Sequence, residues 1–312
     1  MRRPESRSGI STWIEPVSRM THRRIFHLKL RKRSLALGER TLLMGVLNVT
    51  PDSFSDGGKY FAVGKAVKAA LAMQDAGADI LDIGAESTRP GSSGISAAEE
   101  LSRLLPVLQE LRGRLMIPIS LDTQKSTVAE SAIGAGAEIL NDISGLKNDP
   151  RLAEVAAGYK VPLILMHMRG TPRTMQKGPF AKDVMRDVAA GLRHSLALAR
   201  RAGVAKSQII LDPGIGFGKS YAQNYELLAK LPELSKLGCP LLVGTSRKGF
   251  LGTTLARNGK AAPPGQRLWG TAATVTASIL AGAHIVRVHD VAEMAQVARV
   301  TDAILSGGRR RP

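Results

Sequence analysis

The feature that most constrains this fold is a repeated unit in which a glycine is soon followed by a short apolar run. A glycine just past a helix adopts positive φ without a Cβ penalty, and the apolar run after it is typical of a buried parallel strand. Three units share nearly the same tetrapeptide, at 76–79, 135–138 and 281–284. The seven glycines are Gly77, Gly113, Gly136, Gly158, Gly203, Gly238 and Gly282.

These units predict a closed (β/α)₈ barrel, the TIM-barrel form of the α/β class. Residues 42–47 supply a further apolar run, which brings the expected number of strands to eight. The segments between the runs have helical spacing, as at Val184, Val188 and Leu192. Eight alternating units favour a barrel over an open sheet.

Length and composition fit one catalytic domain. A chain of 312 residues with 44% hydrophobic residues can bury a single large core. The lone Cys239 excludes a disulfide framework and is typical of a reducing cytosol. We find no apolar run of 18 residues, so we predict a soluble, cytoplasmic protein with no membrane partner.

The positive charge is concentrated at the two ends of the chain. The formal net charge is +18, and residues 1–40 hold eleven Lys and Arg against three Glu, while 309–311 are all Arg. We therefore divide the chain into a basic extension at 1–33, a catalytic barrel at 34–308 and a basic tail at 309–312. Residues 34–41 are predicted to form a short hairpin or lead-in strand under the barrel.

The basic extension leaves several interpretations open. It has the composition of an organelle transit peptide, and Met20 is an alternative start. A nucleic-acid-binding function is the rival of a different class, but interleaved aromatic residues and a recognisable binding module are missing. We expect no nucleic-acid partner, and the milder charge of the barrel suits a small anionic substrate.

Polar residues end every predicted strand, where a barrel places its active site. A single Asp or Ser at such a position often only caps the next helix. Eight such positions together predict a site. In strand order they are Asn48, Glu86, Asp122, Asn141 with Asp142, His167, Asp212, Ser246 to Lys248, and Arg287 with His289.

The signs of these residues predict two opposite rims of one pocket. Asp122, Asn141 and Asp212 suit a heterocycle with ring N–H donors. Lys248, Arg287 and His289 follow strands seven and eight, where barrels often bind phosphate groups. We expect a ligand with a heteroaromatic head and a phosphorylated tail.

Two loops rich in Gly, Ser and Pro follow strands one and two. Residues 50–58 include Phe54 and Asp56, and residues 87–94 include Arg89. Both are predicted to be mobile lids that exclude water from a reactive intermediate, and ordinary surface loops are the alternative.

Several motifs, in order from about residue 36 to 305, resemble those of the dihydropteroate synthase family. The longest are Asn48-Val-Thr-Pro-Asp-Ser-Phe-Ser-Asp-Gly-Gly58 and Leu211-Asp-Pro-Gly-Ile-Gly-Phe-Gly-Lys219. The others include Gly84-Ala-Glu-Ser-Thr-Arg-Pro-Gly91, Gly244-Thr-Ser-Arg-Lys248 and Arg287-Val-His-Asp290.

The resemblance implies an enzyme that joins 6-hydroxymethyl-7,8-dihydropterin diphosphate to 4-aminobenzoate, releasing diphosphate and forming 7,8-dihydropteroate in folate biosynthesis. It also implies a homodimer and a sulfonamide target. The implied catalytic residues are Lys248, Asp212, Arg287, His289 and Asp56.

The resemblance further assigns ligand contacts. Asp122, Asn141, Asp212 and Lys248 would bind the pterin edge, with Met166 and Phe217 as apolar walls. Arg287 and His289 would bind the diphosphate, and Asn48 would hold the Mg²⁺ cofactor. Phe54, Thr88, Arg89, Pro90 and Lys248 would surround the aminobenzoate.

One position departs from the family, and one related class competes. Gly249 stands where many members have serine after the lysine, so the aminobenzoate carboxylate would need a backbone N–H or water there. A pterin- or folate-binding methyltransferase barrel is the alternative. It has no use for a diphosphate pocket, so the clusters at 246–248 and 287–289 argue against it.

Overall fold

The computed structural model describes residues 23–50, 58–88 and 91–308. In this part of the chain, eight parallel strands pair in the order β8, β7, β6, β5, β4, β3, β10, β9. A parallel bridge between Leu211 and Leu241 joins β8 to the segment before β9 and closes the barrel. The strands are β3 (Leu42–Asn48), β4 (Ile80–Gly84), β5 (Ile119–Asp122), β6 (Ile139–Asp142), β7 (Leu163–Met166), β8 (Ile209–Asp212), β9 (Leu242–Val243) and β10 (Ile285–Val288).

Helices surround this barrel, and the (β/α)₈ prediction is confirmed. The outward side chains of the strands, such as Leu81, Leu121 and Leu211, form one large apolar cluster with the inner faces of the helices. The helices are α1 (Gly58–Asp75), α2 (Ala97–Leu111), α3 (Ser126–Ala135), α4 (Arg151–Tyr159), α5 (Val184–Arg201), α6 (Tyr221–Ala229), α7 (Gly249–Thr254), α8 (Leu268–Leu280) and α9 (Val291–Leu305). Within the described ranges no helix has the length and apolar character needed to cross a membrane.

The glycines that precede the strands take positive φ, with one exception. Six of the seven have φ between 70° and 122°. At the remaining unit, α4 includes Gly158 and continues to Tyr159, and Lys160 adopts the left-handed conformation with φ of 55°. Our expectation that Gly158 caps this helix was therefore wrong, because the helix runs past it.

An antiparallel hairpin covers the bottom of the barrel. Its strands are β1 (Phe26–Lys29) and β2 (Ser34–Leu37), and Leu28, Leu30 and Leu37 pack on the inward side chains at the base of the barrel. The first strand lies inside the segment that we assigned to the basic extension, so the packed structure begins before residue 34. The charged run 31–33 obscured it in the sequence, because it forms the turn between the strands, closed by Leu30 N–H donating to Arg33 O.

We predict that Leu28→Ala destabilises the barrel by about 2–5 kcal/mol, because it removes a wholly buried side chain from the hairpin. The control is Ile25→Ala, since Ile25 is exposed and should lose less than about 1 kcal/mol. Urea denaturation measures both. Equal stability of Leu28→Ala and the wild type would show that the hairpin is not part of the cooperative fold.

Candidate active site

The candidate site lies inside the barrel, one layer above an apolar floor. Residues two apart on a strand point to the same face, so a strand with an inward floor residue points its next-but-one residue into the layer above. The floor residues are Ile80, Ile139, Ile164, Ile210 and Ile285, and the residues two positions further are Asp82, Asn141, Met166, Asp212 and Arg287. The barrel therefore changes from apolar to polar within one layer.

Arg287 crosses this layer and binds two carboxylates. Its Nε donates to Asp82 Oδ2 at 2.7 Å, and its Nη2 donates to Asp122 Oδ2 at 3.0 Å. Asn141 Nδ2 donates to the same Asp82 oxygen at 3.1 Å. Because β10 and β4 both pair with β3, the guanidinium spans one intervening strand to reach Asp82 and two to reach Asp122 on β5. The predicted separation of acceptors and cations onto opposite rims is wrong, since they are in direct contact.

Two carboxyl groups in the pocket ionise close to neutral pH. Burial, together with the charge of Asp82, raises the pKa of Asp122 to about 7, although Arg287 opposes the shift. Burial raises the pKa of Asp212 to about 6, opposed by the hydrogen bond from Gly214 N–H at 2.7 Å and by the charge of Lys248. Small changes in the charge around these groups can therefore switch their protonation.

Phe217 lies on the apolar side of the pocket, and the charged end of Lys248 packs over its ring. The Lys248 ammonium lies 4.0 Å from the centroid of the Phe217 ring, a cation–π contact. Burial and the nearby charge of Arg287 lower the pKa of Lys248 to about 8. Phe217 and Met166 belong to a small buried cluster separate from the main core, so the apolar wall is built from the loop after β8 and the end of β7.

The loop after β8 is held by a buried lysine. The Lys219 ammonium lies 2.9 Å from the carbonyl oxygens of Gly214 and Phe217, and 3.2 Å from His167 O and from His167 Nδ1. Burial lowers the pKa of Lys219 to about 7. These contacts tie the backbone that carries Phe217 to the end of β7.

His289 is held by Ser246 and is neutral. Its Nδ1 lies 3.0 Å from Ser246 Oγ, which also accepts from the His289 backbone N–H at 3.2 Å. Burial and the charge of Arg287 lower the pKa of His289 to about 4. The prediction that groups His289 with the cations is therefore wrong at neutral pH, because burial and the charge of Arg287 disfavour a second positive charge.

Comparison with known proteins agrees with this geometry. Residues 44–289 match the family described as pterin binding enzyme. Dihydropteroate synthase from Synechocystis sp. is 50% identical over 267 residues, which cover 86% of this chain and 91% of that protein. The chain belongs to the dihydropteroate synthase family.

Solved structures of dihydropteroate synthases have the same fold as this enzyme. That of Yersinia pestis with a sulfonamide drug is 43% identical, covers 90% of this chain and 100% of its own, and gives a TM-score of 0.83. That of Xanthomonas albilineans with 4-aminobenzoic acid is 40% identical, covers 90% and 98%, and also gives 0.83.

The structure brings most of the predicted pterin and diphosphate residues of the synthase into one place. They share the barrel interior, or border it, at the carboxyl ends of the strands, and their charges act on one another. Their individual roles stay predictions. The residues are Asp122, Asn141, Met166, Asp212, Phe217, Lys248, Arg287 and His289.

Other predicted residues lie at the margin or cannot be placed. Asn48 is the last residue of β3 and is exposed, and Thr88 is half-buried in the loop after β4. Phe54, Asp56, Arg89 and Pro90 lie outside the described residues. The loops that we predicted as lids are therefore described only in part.

Some polar residues that end strands hold the fold together instead. Glu86, which follows β4, forms an ion pair with Lys125. The same lysine also pairs with the buried Glu100 of α2. Asp142 accepts from the backbone N–H groups of Ser144 and Leu146. These contacts fix loops beside the site.

Sequence reasoning missed Asp82 and the role of Lys219. Polar residues after an apolar run mark the end of a strand, whereas Asp82 lies inside β4, in phase with Ile80. A carboxylate at an inward position of an otherwise apolar strand was the available signal. Lys219 ends the motif at 211–219, but its partners are mostly backbone carbonyls, which a sequence pattern does not reveal.

We predict a bell-shaped pH dependence for the binding of a free pterin without diphosphate. Asp122 and Asp212 accept ring N–H donors more strongly when ionised, and neither then holds a proton that competes for the ring, so affinity should rise with pH as they ionise, through about 6–7. It should fall as Lys248 loses its proton near pH 8. Fluorescence titration measures it.

Lys248→Arg tests the assignment of the alkaline limb. Arginine keeps its charge throughout this range, so the variant should lose the fall near pH 8 and keep the rise below it. A wild-type affinity that is constant from pH 5 to 9 would contradict the predicted ionisations.

Proposed function

We propose that this enzyme condenses 6-hydroxymethyl-7,8-dihydropterin diphosphate with 4-aminobenzoate, forming 7,8-dihydropteroate and releasing diphosphate. The observation that carries the proposal is the contact of Arg287 with Asp122, because it places an anion-binding group against the acceptors for a heterocycle. One ligand with a ring and an anionic tail can satisfy both.

The pterin ring is bound through its polar edge and both faces. Asp212, Asp122 and Asn141 offer oxygen acceptors for ring and amino N–H groups, and Lys248 offers a donor for the ring carbonyl. Met166 and Phe217 supply apolar contacts. Because these groups are buried, a ring that lacked the matching donors would leave them unpaired, which favours pterins over other heterocycles.

Charge on the departing diphosphate is stabilised by Arg287 and His289. A guanidinium has five N–H donors, and the contacts with Asp82 and Asp122 use two of them, which leaves three for phosphate oxygens. Ser246 Oγ accepts from the His289 backbone N–H and can donate to Nδ1, and in that arrangement the proton of the neutral ring resides on Nε2. His289 therefore contributes a hydrogen bond to an oxyanion.

We propose Mg²⁺ as the cofactor, with Asn48 as a ligand. The described residues contain no group of three or more His, Cys, Asp or Glu that could hold a metal by themselves. Mg²⁺ commonly uses one or two protein oxygens together with substrate phosphates, so a single amide oxygen at the end of β3 fits it. When bound, it supplies positive charge to the diphosphate.

The second substrate reacts without a nucleophilic side chain. The C–O bond to diphosphate breaks, the aniline nitrogen attacks the exocyclic carbon of the pterin and forms the C–N bond, and the proton that the nitrogen loses passes to the departing diphosphate or to solvent. Thr88 and Lys248 lie on the described part of the proposed aminobenzoate site. The Xanthomonas albilineans and Yersinia pestis complexes support 4-aminobenzoate and sulfonamide binding there.

We also propose a cytoplasmic location for the enzyme. Its single cysteine, Cys239, is buried and free, which is typical of proteins from a reducing compartment.

Turnover of the two substrates, followed as diphosphate release with and without Mg²⁺, tests the proposal. We expect Arg287→Ala, Asp212→Ala and Lys248→Ala each to lower kcat/KM about 100-fold or more, because each leaves a buried charge or a developing charge unpaired. Arg40→Ala is the control, since Arg40 pairs with Asp79 outside the pocket. Methyl transfer to or from a folate without diphosphate release would overturn the assignment.

We also propose that the enzyme is a homodimer through α8 and α9. Trp269 and Leu280 are three turns apart on one face of α8, and Val300 and Ile304 are one turn apart on α9. All four are exposed, Trp269 by 78%. Large exposed apolar side chains on neighbouring helices are typical of an interface.

Trp269→Glu together with Val300→Glu should convert the dimer to a monomer, because two charges would be buried in an apolar interface. Light scattering after size exclusion measures the mass. The control is Met116→Glu, an equally exposed apolar residue outside these two helices. A monomeric wild type, or a double variant that stays dimeric, would contradict this interface.

A further inference from the structure

Asp82 is an ionisable residue at a position where burial is costly. It lies in the middle of β4, and its side chain has no exposed surface. Two donors, Arg287 Nε at 2.7 Å and Asn141 Nδ2 at 3.1 Å, share its Oδ2 atom. A buried ion pair contributes little net stability compared with well-packed apolar side chains, so its presence here needs another explanation.

We propose that Asp82 is a positioning residue that orients both the Asn141 amide toward the pterin ring and the Arg287 guanidinium toward the diphosphate. This inference rests on the proposed condensation. Asp82 itself has no exposed surface and contacts both of these groups, so it acts on substrate through them.

The effect on Asn141 follows from the chemistry of a carboxylate. An ionised carboxylate only accepts hydrogen bonds, so the side of Asn141 that faces Asp82 must be its amino group. The amide oxygen of Asn141 is then directed elsewhere, free to accept a ring N–H. With an amide in place of Asp82, both orientations of Asn141 could be satisfied, and the polarity presented to the ring would no longer be fixed.

The effect on Arg287 follows from the planarity of the guanidinium. Contacts at Nε and at Nη2 to two carboxylates on adjacent strands fix both the position and the tilt of the plane. The three remaining N–H groups are therefore directed in advance. A pre-directed donor stabilises developing charge without reorganisation at the moment of reaction.

The second oxygen of Asp82 also argues against a purely structural role. Asp82 Oδ1 is buried and has no hydrogen-bond partner among the described residues, and the same holds for Ser120 Oγ on the residue paired with Asp82 in β5. An unsatisfied buried polar atom is destabilising. The position therefore keeps a carboxylate at some cost to stability, which is expected where function requires the charge.

The charge of Asp82 has a consequence for Asp122 that can be measured. The groups that act on Asp122 are Asp82 from β4, Glu100 from α2 and Asp142 from β6, which raise its pKa, and Arg287 from β10, which lowers it. Removing the charge of Asp82 should lower the pKa of Asp122. The acid limb of pterin binding then moves to lower pH, an effect that loss of packing alone does not produce.

The test compares Asp82→Asn with Asp302→Asn. Asp302 accepts from Arg23 Nη2 and from Thr41 at the bottom of the barrel, so its variant removes a partly buried Arg–carboxylate pair outside the site. The quantities to be measured for each variant are the affinity for free pterin from pH 5 to 9, and kcat and KM for the pterin diphosphate.

For Asp82→Asn we expect free-pterin affinity about tenfold weaker, kcat about 10- to 100-fold lower, and the acid limb displaced to lower pH. Asp302→Asn should match the wild type in all three. Affinity and kcat within twofold of the wild type, with an unchanged acid limb, would overturn the inference.

A measurement on the wild type covers the case in which Asp82→Asn does not fold. The Arg287 Nε–H and Asn141 Nδ2–H protons bonded to Asp82 should exchange slowly with solvent by NMR, and fast exchange of either would overturn the inference. Failure of the proposed condensation is distinguishable, because an inactive wild type would still show whether Asp82 governs pterin binding and proton exchange.

Discussion

The pairing of Arg287 with Asp82 and Asp122 is the interaction on which the site depends. A closed barrel excludes water from its interior, so charged groups there must pair or lose their charge. Arg287 pairs with two carboxylates, and the remaining imbalance appears in the raised pKa of Asp122 and the lowered pKa of Lys248. The pocket is thus a network in which each ionisation depends on the others.

Most of the fold followed from residues whose local conformational preference and tertiary role agree. The glycines before the strands need positive φ wherever a helix ends at that point, and the apolar runs must be buried on both faces. Gly158 shows the limit, because helix length decides which residue takes the left-handed conformation, and there it is Lys160. The first hairpin strand escaped notice because its apolar residues are few and a basic turn adjoins them.

Less of the site could be read from the sequence. Polar residues that interrupt an apolar run near the carboxyl end of a strand are visible in the sequence, and this located Asp122, Asp212 and Arg287. Asp82 required the phase of β4 relative to the floor at Ile80, which is fixed only when the strand bounds are known. The neutral state of His289 depends on burial and on a charge from its own strand, and the function of Lys219 depends on carbonyl positions. Neither quantity has a sequence signature.

The contact of ring acceptors with the anion-binding arginine couples the two halves of the proposed substrate. Lys248 and Arg287 face three carboxylate side chains, Asp82, Asp122 and Asp212, so once Asp122 and Asp212 are ionised this set carries excess negative charge. An anionic diphosphate would add to it and would favour protonation of Asp122, the acceptor that the ring needs. A cation that binds together with the diphosphate would offset this added negative charge, so that Asp122 stays ionised. This is the physical reason for proposing Mg²⁺ beside Asn48. Binding of the tail then keeps the ring acceptors ionised.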